Sequence, residues 1–336
     1  MAVYSMGAIL KKCREAKGIT QEELCLGICT ASALSKMEHG YREPSYVKFA
    51  SLMERMGEWP EAYDIFVGDK VYAINELQSE IRRHVFRQDF EAAKEKLDRL
   101  EVLLKAFPDE TIYHQFLGLE IIICESKGII GIDRIKELED LLRWTVPKYG
   151  HVSIENCFLS HQELALVNNI AIGYGENGDI EMAINLLSSL KVYLERSYMS
   201  NRIKATNYST ILPNLVKYLG VGAHYEQALV VANEAIDIFK EIGKTYYVAL
   251  MYYDIAWIYS KMDKVKYKQQ IEDAYLISLY ADLSNKNYAS MRDTIRKIQF
   301  KMSEFWDSPN LHHLLEVYRR TAPESYQKLK LQEKKP

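Results

Sequence analysis

Apolar residues recur at helical spacing through nearly all of the 336 residues, and this periodicity constrains the fold more than any other feature. Only eight prolines and sixteen glycines interrupt it. No segment alternates convincingly with the period of two that a half-buried strand requires. The pattern therefore predicts an all-α protein, and the length favours a small domain followed by a repeat array over one compact core.

Composition excludes several classes of protein. The amino terminus lacks a basic stretch before an apolar core, and no apolar run reaches the roughly 20 residues that span a bilayer. We therefore expect a cytoplasmic protein without a membrane segment. The cysteines lack metal-binding spacing and form an odd set, so we expect reduced thiols, no metal site and no cofactor; they are Cys13, Cys25, Cys29, Cys124 and Cys157.

The first sixty residues show three short helices with strong end signals. Ile9, Cys13 and Ala16 share one face of a predicted helix over residues 6–17, and Gly18 follows as its terminator.

The net charge of the whole chain is -3, so binding of nucleic acid would depend on individually placed side chains rather than on bulk charge.

The second and third helices follow closely on the first. Thr20 and Glu23 have the spacing of a capping box, which predicts a second helix from Gln21. Thr30 is a suitable N-cap for a third helix over residues 31–39. Two short helices separated by a few residues suit insertion of the second into the major groove of DNA.

The run from Thr20 to Gly40, with Pro44-Ser45 behind it, resembles the Cro/repressor type of helix-turn-helix. The ungapped pair Ile28-Cys29 between the two helices narrows the resemblance to the RRNPP peptide-pheromone receptors of the PlcR and Rgg type. The resemblance covers about residues 5–57. It implies double-stranded operator DNA and a short signalling peptide as partners.

The resemblance also assigns roles to single residues. Gln21 would hold a phosphate and brace the third helix, Arg42 would contact a phosphate, and Arg14 would pair with Glu38 inside the domain. Thr30, Ala31, Ser32 and Lys36 would face base edges. The predicted DNA-binding set is therefore Gln21, Thr30, Ala31, Ser32, Lys36 and Arg42. The alternative is an ordinary helical bundle whose outward serine and lysine are merely solvated.

The remaining chain repeats itself. Asn169-Ile170-Ala171, then Tyr174, Gly178-Asp179 and Ala183, matches the tetratricopeptide arrangement of two helices that cross at small residues. A shift of 45 residues aligns Ala183 with Ala228 and Asn169 with Asn214. We expect five helix pairs, at about 72–105, 111–147, 160–196, 203–242 and 245–283.

These patterns predict four segments in an N-terminal helix-turn-helix plus tetratricopeptide-like α-solenoid architecture. They are a helix-turn-helix domain over 1–60, a linker helix over 61–71, a repeat domain over 72–307, and a capping helix with a charged tail over 308–336. In such stacks the first helix of each pair lines a concave face suited to an extended ligand.

Asn169, Asn214 and Asp254 take one position in successive first helices. Amides in such a row can pair with both N–H and C=O groups of an extended peptide. The predicted peptide-binding set is Asn168, Asn169, Asn214, Lys217, Tyr253 and Trp257, with Lys217 as a partner for a carboxylate. The alternative is that the asparagines tie neighbouring helices together and the aromatic rings belong to the inter-repeat core.

The sequence therefore predicts a peptide-responsive transcription regulator that binds an inverted-repeat operator as a homodimer. A regulator whose repeats bind a protein partner instead of a secreted peptide remains open. An enzyme is not expected, because no catalytic triad, HExxH motif or glycine-rich phosphate loop is present.

Overall fold

The computed structural model describes residues 5–58, 60, 69–197, 201–301 and 303–329. Helices make up the regular structure of these ranges, which contain no β-strand. The predicted all-α class is therefore confirmed.

Four helices form the N-terminal domain: α1 (Met6–Ala16), α2 (Gln21–Cys25), α3 (Ala31–Glu38) and α4 (Tyr46–Arg55). Side chains from all four helices meet in one core, because each helix carries an apolar stripe on one face. The most deeply buried of these side chains are Leu10, Leu24, Leu34, Phe49 and Leu52.

The buried face of α1 differs from the predicted stripe. Leu10 is fully buried, Ile9 and Cys13 are half-buried at the edge of the core, and Ala16 is exposed. The backbones of α1 and α3 cross closely at Gly7, where a Cβ atom would lie 1.8 Å from the carbonyl oxygen of Met37. This crossing rotates Leu10 toward the core, so the prediction for Ala16 was wrong.

Glycines end α1 and α3 in the same way. Gly18 has φ +66° and Gly40 has φ +74°, the left-handed conformation that only glycine adopts without cost. After Gly18, the N–H of Ile19 donates to the carbonyl of Arg14 at 3.2 Å. Both ends are Schellman motifs, which satisfy carbonyls that would otherwise lack donors.

Helix pairs follow throughout the region predicted to be repetitive, and each expected pair is present. Their bounds are α5 (Asp69–Phe86) with α6 (Phe90–Leu104), α7 (Thr111–Glu125) with α8 (Ile132–Arg143), α9 (His161–Glu176) with α10 (Ile180–Arg196), α11 (Asn201–Val221) with α12 (Tyr225–Glu241), and α13 (Thr245–Met262) with α14 (Lys268–Ser284). The shorter helices at the end are α15 (Tyr288–Lys301), α16 (Ser303–Trp306), α17 (Pro309–Thr321) and α18 (Pro323–Gln327).

The turn inside a helix pair uses repeated local chemistry. Asp89 and Asp179 are N-caps whose carboxylates accept the backbone N–H three residues later. Ala93 and Ala183, one turn into the second helix of each pair, are fully buried. Their small side chains let the two helices approach, as the repeat pattern predicted.

The chain divides into two compact units, residues 1–211 and 212–336. The first contains the N-terminal domain and the first three helix pairs, and the second contains α12 to α18. Most of the predicted linker helix over 61–71, and the tail beyond residue 329, lie outside the described residues. The four predicted domain boundaries therefore remain predictions.

Candidate nucleic-acid interface and peptide-facing residues

Local hydrogen bonds set the ends of α2 and α3. The Thr20 hydroxyl accepts the Glu23 N–H at 3.2 Å, and the Glu23 carboxylate accepts the Thr20 N–H at 2.8 Å, so the predicted capping box is confirmed. The Thr20 hydroxyl also donates to the Glu23 carboxylate at 2.6 Å, and this bond together with that from the Thr20 N–H holds the pKa of Glu23 below its usual range. The Thr30 hydroxyl accepts the Ala33 N–H at 3.1 Å and begins α3 as expected.

A buried carboxylate braces the far end of α3. The Glu38 side chain is fully buried and accepts hydrogen bonds from Arg14 at 2.6 and 2.8 Å and from Gln21 at 2.6 Å. Burial alone would raise the pKa of Glu38, but these donors outweigh burial and hold it below its usual range. The predicted Arg14–Glu38 pair and the bracing role of Gln21 are confirmed; the contact of Gln21 with a phosphate remains a prediction.

The outer face of α3 carries the residues predicted to face DNA. Thr30, Ser32 and Lys36 are exposed, and Ala31 is half-buried. Ser32 and Lys36 are one turn apart and therefore lie on the same side of the helix. Arg42, just past the end of α3, is also exposed. This face can offer hydroxyl and ammonium donors to a groove of DNA.

Three further residues lie near this face and are absent from the predicted DNA-binding set. Tyr41 is 84% exposed directly after the left-handed Gly40. His39 bonds through Nδ1 to the carbonyl of Ser35 at 2.8 Å, and its Nε2 lies 3.4 Å from Lys11 Nζ. The exposure of Tyr41 could have been predicted from the sequence, because the residue after a left-handed glycine cap leaves the helix and loses its intrahelical partners.

Arg55 connects the N-terminal domain to the repeats. Its side chain is 2% exposed and contacts the fully buried carboxylate of Glu163 at 2.5 and 3.3 Å. The same guanidinium donates to the carbonyls of Leu24 at 3.1 Å, Leu26 at 2.6 Å and Thr145 at 3.0 Å. Every guanidinium nitrogen therefore has a partner, and the partners come from both sides of the junction.

Two neighbouring features close this junction. Gly27 has φ +75°, and a Cβ atom there would lie 1.9 Å from the carbonyl oxygen of Thr145. Glu163 also accepts the N–H of Ser160 at 2.6 Å within a second capping box. Burial opposes ionisation of Glu163, but the charge and hydrogen bonds of Arg55 hold its pKa below the usual range. Helix α4 places Arg55 one turn after the buried Ser51 and Leu52, the one sequence signal for its burial.

Two of the residues predicted to bind peptide lie in the first unit. Asn168 is 6% exposed, whereas Asn169 is half-buried. The Asn169 amide donates to the carbonyl of Ala165 in its own helix at 2.8 Å. One amide N–H of Asn169 is therefore already used, which leaves its second N–H and its amide oxygen for a ligand.

The other four lie in the second unit, where α11 and α13 carry them. Asn214 is half-buried, and Lys217 is exposed with its ammonium 4.8 Å from the Tyr218 ring centroid. Asp254, which aligns with the asparagines, is half-buried. Burial raises the pKa of Asp254 to about 7, and the charges of Lys297 and Lys217 oppose this rise.

Tyr253 and Trp257 are half-buried on α13. The Tyr253 ring centroid lies 5.8 Å from that of Tyr275, and the Lys297 ammonium lies 4.9 Å from the Tyr253 ring. The Trp257 ring packs on Gly220 so closely that a Cβ atom there would come within 2.4 Å of it. Trp257 therefore has a packing role in this unit, beside any contact it makes with a ligand.

Two other kinds of site are absent from the described residues. These residues contain no group of three or more histidine, cysteine or acidic side chains placed to hold a metal ion. No described helix is both long enough and apolar enough to cross a membrane.

Comparison with known proteins identifies the N-terminal domain. Residues 10–58 match the helix-turn-helix family model, so this part of the chain is a helix-turn-helix domain. No curated protein matches the chain significantly.

Solved structures show the fold of the rest. The chain is similar to PlcR of Bacillus thuringiensis, solved in complex with the peptide PapR7 and DNA, with 20% identity and a TM-score of 0.52. This similarity covers 87% of the present chain and 99% of PlcR, so the two share a helix-turn-helix domain followed by helical repeats. It also resembles ComR of S. thermophilus, solved with DNA and its signalling peptide ComS, with 14% identity, a TM-score of 0.45, and coverage of 87% of this chain and 98% of ComR.

Proposed function

We propose that the protein is a transcription regulator that binds operator DNA through α3. One observation carries this proposal: α3 presents exposed polar side chains outward while the buried Arg14–Glu38–Gln21 network fixes the helix from within. A recognition helix needs this combination, because base contacts give specificity only when the side chains are held in register.

The exposed groups divide by role. Lys36 is a donor suited to guanine, Ser32 can bond to several bases, and the Ala31 methyl suits thymine. Arg42 and Gln21 contact phosphates, which position the domain without reading sequence. With a net charge of -3 for the whole chain, these placed contacts account for the affinity.

The protein binds DNA as a homodimer on an inverted repeat, because a single eight-residue recognition helix reads only one half-site. Light scattering with footprinting tests this. We expect a dimer that protects two half-sites about one helical turn apart. A monomer that protects a single unrepeated site at physiological salt would refute it.

The repeats sense a short peptide. The regulator is located in the cytoplasm, together with its operator. The support is the fold shared with PlcR, whose structure contains a peptide, together with polar and aromatic side chains on α9 and α13. Calorimetry with synthetic peptides from open reading frames beside the gene tests this. If no peptide binds and a copurifying protein binds the repeats, this result would favour a protein partner instead.

A further inference from the structure

A polar cavity of about 240 Å³ lies within the first unit, apart from the residues assigned above to DNA or peptide. Four helices wall it: α4 of the helix-turn-helix domain, and α5, α7 and α9 of the repeats. Pockets for drug-sized molecules span roughly 300–1,000 Å³, so this cavity suits a smaller group.

Two buried polar groups in the cavity wall have no hydrogen-bond partner in the protein. They are the hydroxyl of Tyr113, a residue 4% exposed, and the amide nitrogen of Gln162, a residue 5% exposed. Most buried polar groups in native proteins are paired, because an unpaired one loses its hydration without compensation. Both groups line this cavity, one from α7 and one from α9, and each is a donor that a bound molecule can use.

The charged side chains that line the cavity are one arginine, Arg82, and one glutamate, Glu54. The exposed Arg82 guanidinium lies 4.9 Å from the centroid of the Phe116 ring, and its charge opposes the rise in the pKa of the buried Glu120 carboxyl. No carboxylate of the described residues lies within ion-pair distance of it. The acidic lining residue Glu54 already accepts the backbone N–H of His161 at 3.1 Å. Arg82 is therefore the cation that an anionic ligand would meet.

His161 does not add a second positive charge. Its Nδ1 lies 2.8 Å from the Asn207 amide oxygen, which can only accept, so Nδ1 carries the ring proton. Burial, together with the charge of Arg82, lowers the pKa of His161 to about 4. The ring is neutral near pH 7 and offers Nε2 as an acceptor.

We propose that this cavity binds a carboxylate group, held by Arg82, Gln162 and the Tyr113 hydroxyl. A carboxylate has four acceptor positions and pairs with a guanidinium through two parallel hydrogen bonds, which matches a set of donors with one cation. Its source is either the C-terminus of a short peptide or a small free acid.

Occupancy has a structural consequence, because α4 forms part of the wall through Tyr46, Val47, Ala50, Ser51 and Glu54. A ligand there contacts the helix-turn-helix domain and the repeats at once, so it stabilises the arrangement in which the two are docked. The carboxylate site itself is independent of whether α3 binds DNA, and its test measures ligand binding alone.

The test uses the full-length protein and ligand-observed NMR titration. The small probes are N-acetylalanine and its neutral amide; the larger probes are random pentapeptide mixtures with free or amidated C-termini. We expect each acid to bind at least about tenfold tighter than its amide, the ratio expected for loss of a charge-assisted pair. The tighter of the two acids identifies the source.

Variants locate the binding. Arg82→Gln should weaken binding of the acid about tenfold. Arg83→Gln changes a neighbouring arginine that is exposed like Arg82 but does not line the cavity, and it should leave binding of the acid unchanged. Tyr113→Phe should weaken binding without lowering the melting temperature, because it removes a hydroxyl that has no protein partner. Equal binding of acids and amides, no binding of any probe, or equal effects of the two arginine changes would overturn the proposal.

Discussion

Replacing Arg55 by methionine keeps an unbranched side chain of similar length but removes the guanidinium from the junction between α4 and the repeats. The Glu163 carboxylate then loses its cationic partner while its side chain stays fully buried. The carbonyls of Leu24, Leu26 and Thr145 lose a donor in the same step.

The expected cost follows from this burial. Breaking a fully buried ion pair from one side costs about 3–5 kcal/mol, because the remaining charge is uncompensated. Domains unfold with about 5–15 kcal/mol, so this single change removes a large part of the stability of the first unit. The double variant Arg55→Met/Glu163→Gln should be less destabilised than Arg55→Met, because it leaves no buried charge.

Urea denaturation followed by circular dichroism measures these differences. Arg134→Met is the matched control, since Arg134 also pairs with carboxylates, at 2.7 and 2.8 Å, but its side chain is 37% exposed. The control should leave the denaturation midpoint unchanged, because exposed pairs contribute little.

Two results would refute the reasoning. A loss below about 1 kcal/mol in Arg55→Met would place the pair with ordinary surface ion pairs. Simple additivity of the two single changes in the double variant would show that Arg55 and Glu163 act independently, against the contacts in the structure.

Three further predictions concern the binding sites and pH. Lys36→Ala should relax preference among operator variants, while Arg42→Ala should weaken all sites alike and flatten the salt dependence; binding assays at several salt concentrations measure both, and identical behaviour would contradict the assignment. Asn169→Ala and Asn214→Ala should each weaken peptide binding about tenfold, because an unpaired buried ligand group costs roughly 1–3 kcal/mol. A lower melting temperature with unchanged peptide affinity would show that the two asparagines have a structural role instead. Burial raises the pKa of Glu120 from 4.5 to about 7, so the folded state retains a proton that the unfolded chain releases, and stability should fall as pH rises from 4.5 to 7. Glu120→Gln should remove the Glu120 part of this fall, to which Asp254 also contributes, and stabilise the protein at pH 8 by up to about 3 kcal/mol, measured by denaturation at pH 4 and pH 8. A pH-independent effect of the substitution would argue against a raised pKa of Glu120.

Much of the helical framework was predictable because the interactions that end helices are local. The Thr20–Glu23 capping box, the Thr30 cap and the left-handed turn at Gly40 all join residues within five positions of one another. Such bonds depend on residue type and spacing alone, which a sequence displays directly. The Asp89 and Asp179 caps, which accept the N–H three residues later, are local in the same way.

Part of the candidate site was also predictable, through resemblance rather than periodicity. The Arg14–Glu38 pair joins residues 24 positions apart, and only a known arrangement of helices could bring them together in advance. The exposure of Tyr41 was readable from the glycine before it and was overlooked.

Tertiary structure alone decided the rest. The close crossing at Gly7 turned Leu10 into the core and left Ala16 exposed, although both lie on the same amphipathic helix. Arg55 and Glu163 are 108 residues apart, and the cavity wall joins helices α4, α5, α7 and α9. A polar side chain at such a place can be solvated, paired or available to a ligand. Which of these holds depends on the distant segments that pack beside it, and local residue spacing does not determine that packing.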